Sequence, residues 1–335
     1  MMILKLHWIS LAQKFCHTSN KIILSNNKAI IIRGPTASGK TDLSLKLADN
    51  LPIEIISVDS VMVYKGLNIG SAKPTKEILD QYPHHLIDIC DPGDKYSAGK
   101  FVEDAQQRIR DIQAHNRIPV LVGGTMMYYK VLQDGLNELP KANDEIRNQI
   151  DQEAKDQGWP EMHRKLGGID PEAAKKIKPN DKQRIQRAIE VYMISGITIS
   201  ELKKKDNGNH EFEFLAFSLM PSDREVLYQN INLRFDSMIK VGLLDEVISL
   251  LDEDLVSVNS HSMQSIGYKE MLDHITGKIS LDEAVDAAKM SSRRYAKRQI
   301  TWLRSMDDQY KLDPSNRNNH QLIEKTALNH FEAIN

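Results

Sequence analysis

Short runs of β-branched and aliphatic residues alternate, in the first part of the chain, with segments whose apolar positions recur at helical spacing. Ala29-Ile30-Ile31-Ile32 is long enough for a buried strand and stops at Gly34, and residues 42–48 then predict a helix. A second apolar run, residues 53–58, leads into Asp59-Ser60. A third, residues 118–122, leads into Gly123-Gly124-Thr125 and follows a helical stretch over 101–113. Strands alternating with helices predict an α/β fold, a parallel sheet with helices on its faces.

Past Leu139-Pro140 the pattern changes. Residues 141–205 are rich in Lys, Arg, Glu, Gln and Ala, punctuated by Gly158, Gly167-Gly168 and Pro179, and they predict a helical insertion. Residues 211–219 alternate at period two and return to the sheet, and 223–306 predict mostly helix. The expected organisation is a poorly ordered leader over 1–27, a core from 28–140 and 211–312, a helical insertion over 141–210, and a polar tail over 313–335.

Composition narrows the classes. A formal net charge of −2 excludes a uniformly basic protein but not a local basic face. Cys16 and Cys90 are the two cysteines, with no CxxC, which argues against a disulfide framework or a structural zinc and for a reducing, cytoplasmic setting. No apolar run approaches the roughly 20 residues needed to span a bilayer. Residues 1–41 contain no acid, yet they are too poor in arginine for a transit peptide and lack the apolar stretch of a signal peptide.

Gly34-Pro35-Thr36-Ala37-Ser38-Gly39-Lys40-Thr41 matches GxxxxGK[ST] between a predicted strand and a predicted helix. The glycines let backbone amides converge on phosphate oxygens, and the helix that follows adds the positive end of its dipole. Lys40 brings a point charge, and the Thr41 hydroxyl is a ligand for Mg²⁺. Any diphosphate fits such a loop. A nucleotide hydrolase usually ends a neighbouring strand in an acid, whereas residues 118–122 run into Gly-Gly-Thr, leaving Leu86-Ile87-Asp88 as a weaker candidate. A dinucleotide site is excluded by the absence of GxGxxG.

The phosphate loop, Ile56-Ser57-Val58-Asp59-Ser60, Tyr64-Lys65-Gly66, Gly70-Ser71-Ala72-Lys73-Pro74, Leu121-Val122-Gly123-Gly124-Thr125 and Ala296-Lys297-Arg298-Gln299-Ile300-Thr301-Trp302-Leu303-Arg304 occur in an order that resembles the bacterial tRNA dimethylallyltransferases. The resemblance runs from about residue 28 to residue 306. It implies a P-loop nucleotide-kinase-like core with a helical insertion domain that grips the anticodon stem-loop of tRNA. It also implies dimethylallyl pyrophosphate and a tRNA adenosine as substrates, Mg²⁺ as cofactor, and a monomer. Eukaryotic relatives carry a C-terminal zinc finger, for which this chain has no cysteines.

The same resemblance assigns Asp59 as general base, Thr125 as a contact to the acceptor adenosine, and Arg234 as a pyrophosphate ligand, a task suited to a bidentate guanidinium. It places tRNA contacts at Asp59, Ser60, Val61 and Met62, at Arg147, and at Gln183, Arg184, Ile185, Gln186 and Arg187. A further segment comprises Gln264, Ser265, Ile266, Gly267, Tyr268 and Lys269, where Gln264 departs from the basic residue expected. An exocyclic adenine amine is a weak nucleophile, so a base and a clamp on the departing diphosphate are both required, and the target base must leave its stack to reach them.

Arg293, Arg294, Lys297, Arg298 and Arg304 fall within about 140° of one helix face, and residues 172–205 hold nine Lys/Arg against four Asp/Glu. Arg294 and Arg298 are the expected tRNA contacts there. Rival readings are a small-molecule kinase, an adenylate isopentenyltransferase acting on free nucleotide, and a non-catalytic RNA-binding ATPase. His84-His85 is expected to be a surface loop pair.

Overall fold

The computed structural model describes residues 27–135, 139–204, 211–306 and 310–331. The leader expected over 1–27 lies outside the described residues except for its last position. The chain divides into two compact units, one formed by Met1–Tyr129 with Phe212–Asn335 and the other by Lys130–Glu211.

The first unit is built on a six-stranded, wholly parallel sheet in the order β3-β2-β4-β1-β5-β6. Its strands are β1 (Lys28–Arg33), β2 (Ile53–Val58), β3 (His84–His85), β4 (Ile118–Gly123), β5 (Glu213–Leu219) and β6 (Tyr310–Leu312). The α/β expectation is met, and the central strands show why the runs are continuous rather than alternating. Ala29, Ile30, Ile31 and Ile32 have no exposure at all, because helices cover both faces of the sheet. The crossover helices are α1 (Lys40–Ala48), α2 (Lys76–Gln81) and α3 (Ala98–Ala114); α4 (Met126–Asp134) follows β4. α3 begins at Ser97, whose hydroxyl accepts from the Lys100 amide, and it buries Phe101, Ala105, Ile109 and Ile112.

In the second unit, α5 (Asp144–Gln157), α6 (Trp159–Ile169), α7 (Pro171–Lys176), α8 (Lys182–Ser195) and α9 (Ile199–Lys204) pack around Ile150, Met162, Leu166, Ile185 and Ile189. Pro160 and Pro171 stand at first-turn positions, where a missing amide costs nothing.

The first unit continues with α10 (Arg224–Val241), α11 (Leu243–Asp252), α12 (Tyr268–Ile275) and α13 (Leu281–Arg304), and ends with α14 (Asn319–Phe331). Two expectations are corrected here. The polar tail carries a helix of the core: in α14 Ile323, Ala327 and Phe331 recur every four residues to form a buried stripe against Leu47 and Leu51. His84 and His85 form the edge strand β3 beside Ile55 and Ile56 rather than a loop, and His85 Nε2 lies 2.7 Å from Glu54.

Candidate active site

β1 pairs with β4 on one side and β5 on the other, and the chain crosses over β4 to reach β2. Such a switch leaves a crevice beyond the carboxyl ends of the strands, where ligands of open α/β sheets bind. A cavity of about 450 Å³ occupies it, walled by the phosphate loop, Asp59, Gly123, Gly124, Arg234, Tyr295, Arg298 and Gln299. Ile55, Val61, Met62, Ile87, Ile231, Phe235 and Met238 add an apolar wall.

Within the phosphate loop Ala37 (φ 59°) and Gly39 (φ 79°) are both left-handed, a backbone alternation that turns successive amides toward one side. Ser38 Oγ is buried without a hydrogen-bond partner. An orphaned hydroxyl is costly, and inside this loop it fits an anion. Lys40 Nζ donates to the Pro35 carbonyl at 2.7 Å. Burial, reinforced by the neighbouring Arg234 and opposed by Asp59, pushes Lys40 down to about 7. Arg234, from α10, brings Nη1 to 3.5 Å from Thr36 Oγ1, and burial lowers its pKa against the pull of Asp59. Two cations therefore face a single carboxylate, an arrangement that favours a multiply charged anion.

Asp59 follows β2. Its Oδ1 accepts from the Val61 amide at 2.8 Å and the Met62 amide at 3.2 Å, an Asx-type turn that orients the carboxylate on the cavity wall. Opposite, Gly123 and Gly124 must be glycine because of close approach. A Cβ on Gly123 would meet the Val58 carbonyl oxygen at 2.0 Å, and one on Gly124 would meet Gln299 Nε2 at 2.4 Å.

Thr125 stands behind the wall rather than on it. It is 9 % exposed, its Oγ1 accepts from the Ser60 amide at 3.2 Å, and its own amide donates to Val58 O at 3.2 Å. The hydroxyl thus ties the loops after β2 and β4 together.

Two residues carried no role in the sequence reading. Tyr295 Oη donates to Gly124 O at 3.3 Å, and burial together with Asp59 pushes the phenol up to about 12. Gln299, 3 % exposed, accepts from the Thr36 amide at 2.9 Å and donates to Gly124 O at 2.7 Å. An amide among Ala296, Ile300 and Leu303 on the inner face of α13 was the available signal.

The expected RNA contacts divide by exposure. Ser60, Gln264, Lys269, Arg294 and Arg298 are exposed, and Val61, Met62, Ser265 and Ile266 are half-buried on the cavity wall. Gly267 is buried, and Tyr268, with no exposure, donates its hydroxyl to Glu246 at 2.7 Å. Arg293 turns from the basic face to Asn232 Oδ1 at 2.6 Å. In the second unit Gln183 and Arg184 are exposed, while Gln186 donates to Asp151 at 2.7 Å. Ile185 is fully buried because helical periodicity turns it inward. Arg147 Nε and Arg187 Nη1 lie 2.9 and 2.7 Å from the fully buried Glu190.

For a metal, the Thr41 hydroxyl at the start of α1 is the protein ligand in reach of a diphosphate. Among the described residues no three His, Cys, Asp or Glu side chains cluster as a ligand set, so the donors present fit a magnesium ion that takes its remaining ligands from phosphate and water. Asp88, the weaker acid candidate, is instead paired with Lys73 at 2.5 Å. No described helix is long and apolar enough to cross a membrane.

The model of the IPP transferase family matches residues 62–306, and that of the isopentenyl transferase family matches residues 27–88. A tRNA dimethylallyltransferase of Nitrosomonas eutropha is 44 % identical over 286 residues, 85 % of this chain and 90 % of that protein. A solved tRNA isopentenylpyrophosphate transferase from Bacillus halodurans has a TM-score of 0.66 at 36 % identity, covering 91 % of this chain and 97 % of its own. A eukaryotic dimethylallyltransferase acting on tRNA has a TM-score of 0.77 at 29 % identity, covering 91 % and 79 %.

Proposed function

The chain belongs to the tRNA dimethylallyltransferase (IPP transferase) family and prenylates adenosine in tRNA, and from that premise we propose the donor, the acceptor atom and the residues that act. The donor is dimethylallyl pyrophosphate and the acceptor is the exocyclic N6 amine of the adenosine next to the anticodon. The products are N6-dimethylallyladenosine and pyrophosphate. One observation carries the reading: a phosphate loop with two converging cations, an oriented carboxylate and an apolar wall share one cavity.

The diphosphate lies on the loop amides, with Ser38 Oγ, Lys40 and Arg234 as further donors, and the five-carbon group lies along Ile231, Phe235 and Met238. The adenine nitrogen bonds to the allylic carbon as its C–O bond breaks, and the electron pair leaves with pyrophosphate. The carbon tolerates cationic character, so stabilising the leaving group lowers the barrier most directly. Asp59, oriented by two amides, accepts the amine proton. Magnesium, held by Thr41, would supply charge neutralisation on the diphosphate. Thr125 supports this wall from behind, and Tyr295 forms part of it. A monomer working in the cytoplasm completes the reading, as the resemblance implies.

For RNA, the exposed Arg294 and Arg298 on α13 and Gln183 and Arg184 on α8 supply phosphate and loop contacts. Incubation with unmodified tRNA, Mg²⁺ and dimethylallyl pyrophosphate, followed by nucleoside mass spectrometry, tests the reading. A gain of one C5H8 on the anticodon-adjacent adenosine is expected. A gain on AMP and none on tRNA overturns it.

A further inference from the structure

The reaction proposed above needs two loops at a set separation, the phosphate loop after β1 and the glycine loop after β4, and a single side chain from a third element touches both. We propose that Gln299 is a positioning residue that sets the spacing between the bound diphosphate and the acceptor adenine; the inference rests on the reading of the site as a prenyl transfer centre.

The carboxamide has one allowed orientation. The Thr36 amide only donates, so it requires Oε1, and the Gly124 carbonyl only accepts, so it requires Nε2. The Pro35–Thr36 peptide is consequently held at both ends, its carbonyl by Lys40 Nζ at 2.7 Å and its N–H by Gln299 at 2.9 Å. On the other side the contact is tight enough that a Cβ at Gly124 would stand 2.4 Å from Nε2. The support is rigid: Ala296 and Ile300 on the same face of α13 pack against Leu227 and Ile231 of α10, the helix that carries Arg234. The opposite edge of α13 exposes Arg294 and Arg298. Gln299 therefore joins the donor loop, the acceptor loop and the basic helix through one amide. A displacement of about 1 Å between reacting groups is enough to cost about 10²-fold in rate.

Gln299→Met keeps the volume and removes both hydrogen bonds, and Gly124→Ala pushes the carboxamide away from the other end. Wild-type turnover on tRNA is measured first; its absence would defeat the prenyl-transfer reading, whereas the variants are judged against an active wild type. Each single variant is expected to lower kcat about 10–100-fold at saturating substrates, with tRNA affinity in filter binding within about 2-fold of wild type. Because both break one link, the double variant should be no more than about 2-fold slower than the slower single. A rate within about 3-fold of wild type for Gln299→Met, or single effects that multiply in the double variant, overturns the proposal. If Gln299→Met fails to fold, Gly124→Ala alone decides, since a wild-type rate there is equally fatal. A purely structural amide would lower the unfolding temperature and leave kcat unchanged well below it.

Discussion

Two pairs of basic residues occupy opposite circumstances. Lys40 and Arg234 line a cavity and repel one another, and burial draws both toward their neutral forms against the pull of Asp59, the only carboxylate lining it among the described residues. Arg147 and Arg187 point at Glu190, which has no exposure and is held below the ordinary carboxylate range. Burial acts to raise it, and bonds from Arg187, the Asn143 amide and Arg147 outweigh that effect. Arg187 also donates to the Pro140 carbonyl at 2.6 Å. The first pair faces a cavity; the second faces a carboxylate inside the protein. An arginine that matches a family pattern is thus a ligand contact only if its donors are left unused, a property of the fold and not of the residue type.

Asp59, the carboxylate facing the first pair, offers the largest break. Asp59→Asn keeps an acceptor for the Val61 and Met62 amides while removing the base, and it should cut turnover about 10²–10⁴-fold with tRNA affinity nearly unchanged. Collapse of tRNA affinity with intact turnover of bound substrate would make Asp59 a positioning residue.

Glu190→Gln tests the other side. It leaves two arginines without their buried partner, and urea melts should show about 3 kcal/mol of destabilisation, the low end for a broken buried pair because both guanidiniums reach solvent. A loss below about 0.5 kcal/mol would mean that the network is not structural.

The pH dependence of donor binding sharpens the contrast. Lys40 titrates at about 7 in the free protein, so the cation prevails below that pH and the neutral amine above it. Calorimetry should show diphosphate affinity falling by up to about 10-fold per pH unit above 7, with proton uptake on binding. Lys40→Met should flatten the curve at low affinity, and a wild-type curve already flat from pH 6 to 9 would remove the charge argument.

The smallest effect is expected at Arg184, which is exposed and lies 3.5 Å from Asp181. Arg184→Ala should change stability by no more than about 0.5 kcal/mol yet reduce the salt slope of tRNA binding by about 1. An unchanged slope would return it to the solvated surface.

Much of this was legible beforehand. The strand runs, the phosphate loop and Asp59 at a strand end were plain, since each depends on local pattern: continuous apolar residues for a buried parallel strand, glycines for a tight turn. α14 was missed because its average polarity hid Ile323, Ala327 and Phe331, which become a core face only once a sheet lies beneath them. The Gly-Gly pair after β4 was visible, but its cause was not, because the Val58 carbonyl and the Gln299 amide arrive from residues remote in sequence.

The chain's own order of residues determined that there would be a parallel sheet, a diphosphate loop and an acid beside it, because hydrophobic period and backbone freedom act over a few residues. Which arginines remain available, why Thr125 stands behind the wall, and how Gln299 spans two loops were decided only by tertiary packing. Burial and hydrogen-bond pairing are properties of neighbours that residue order alone does not bring together.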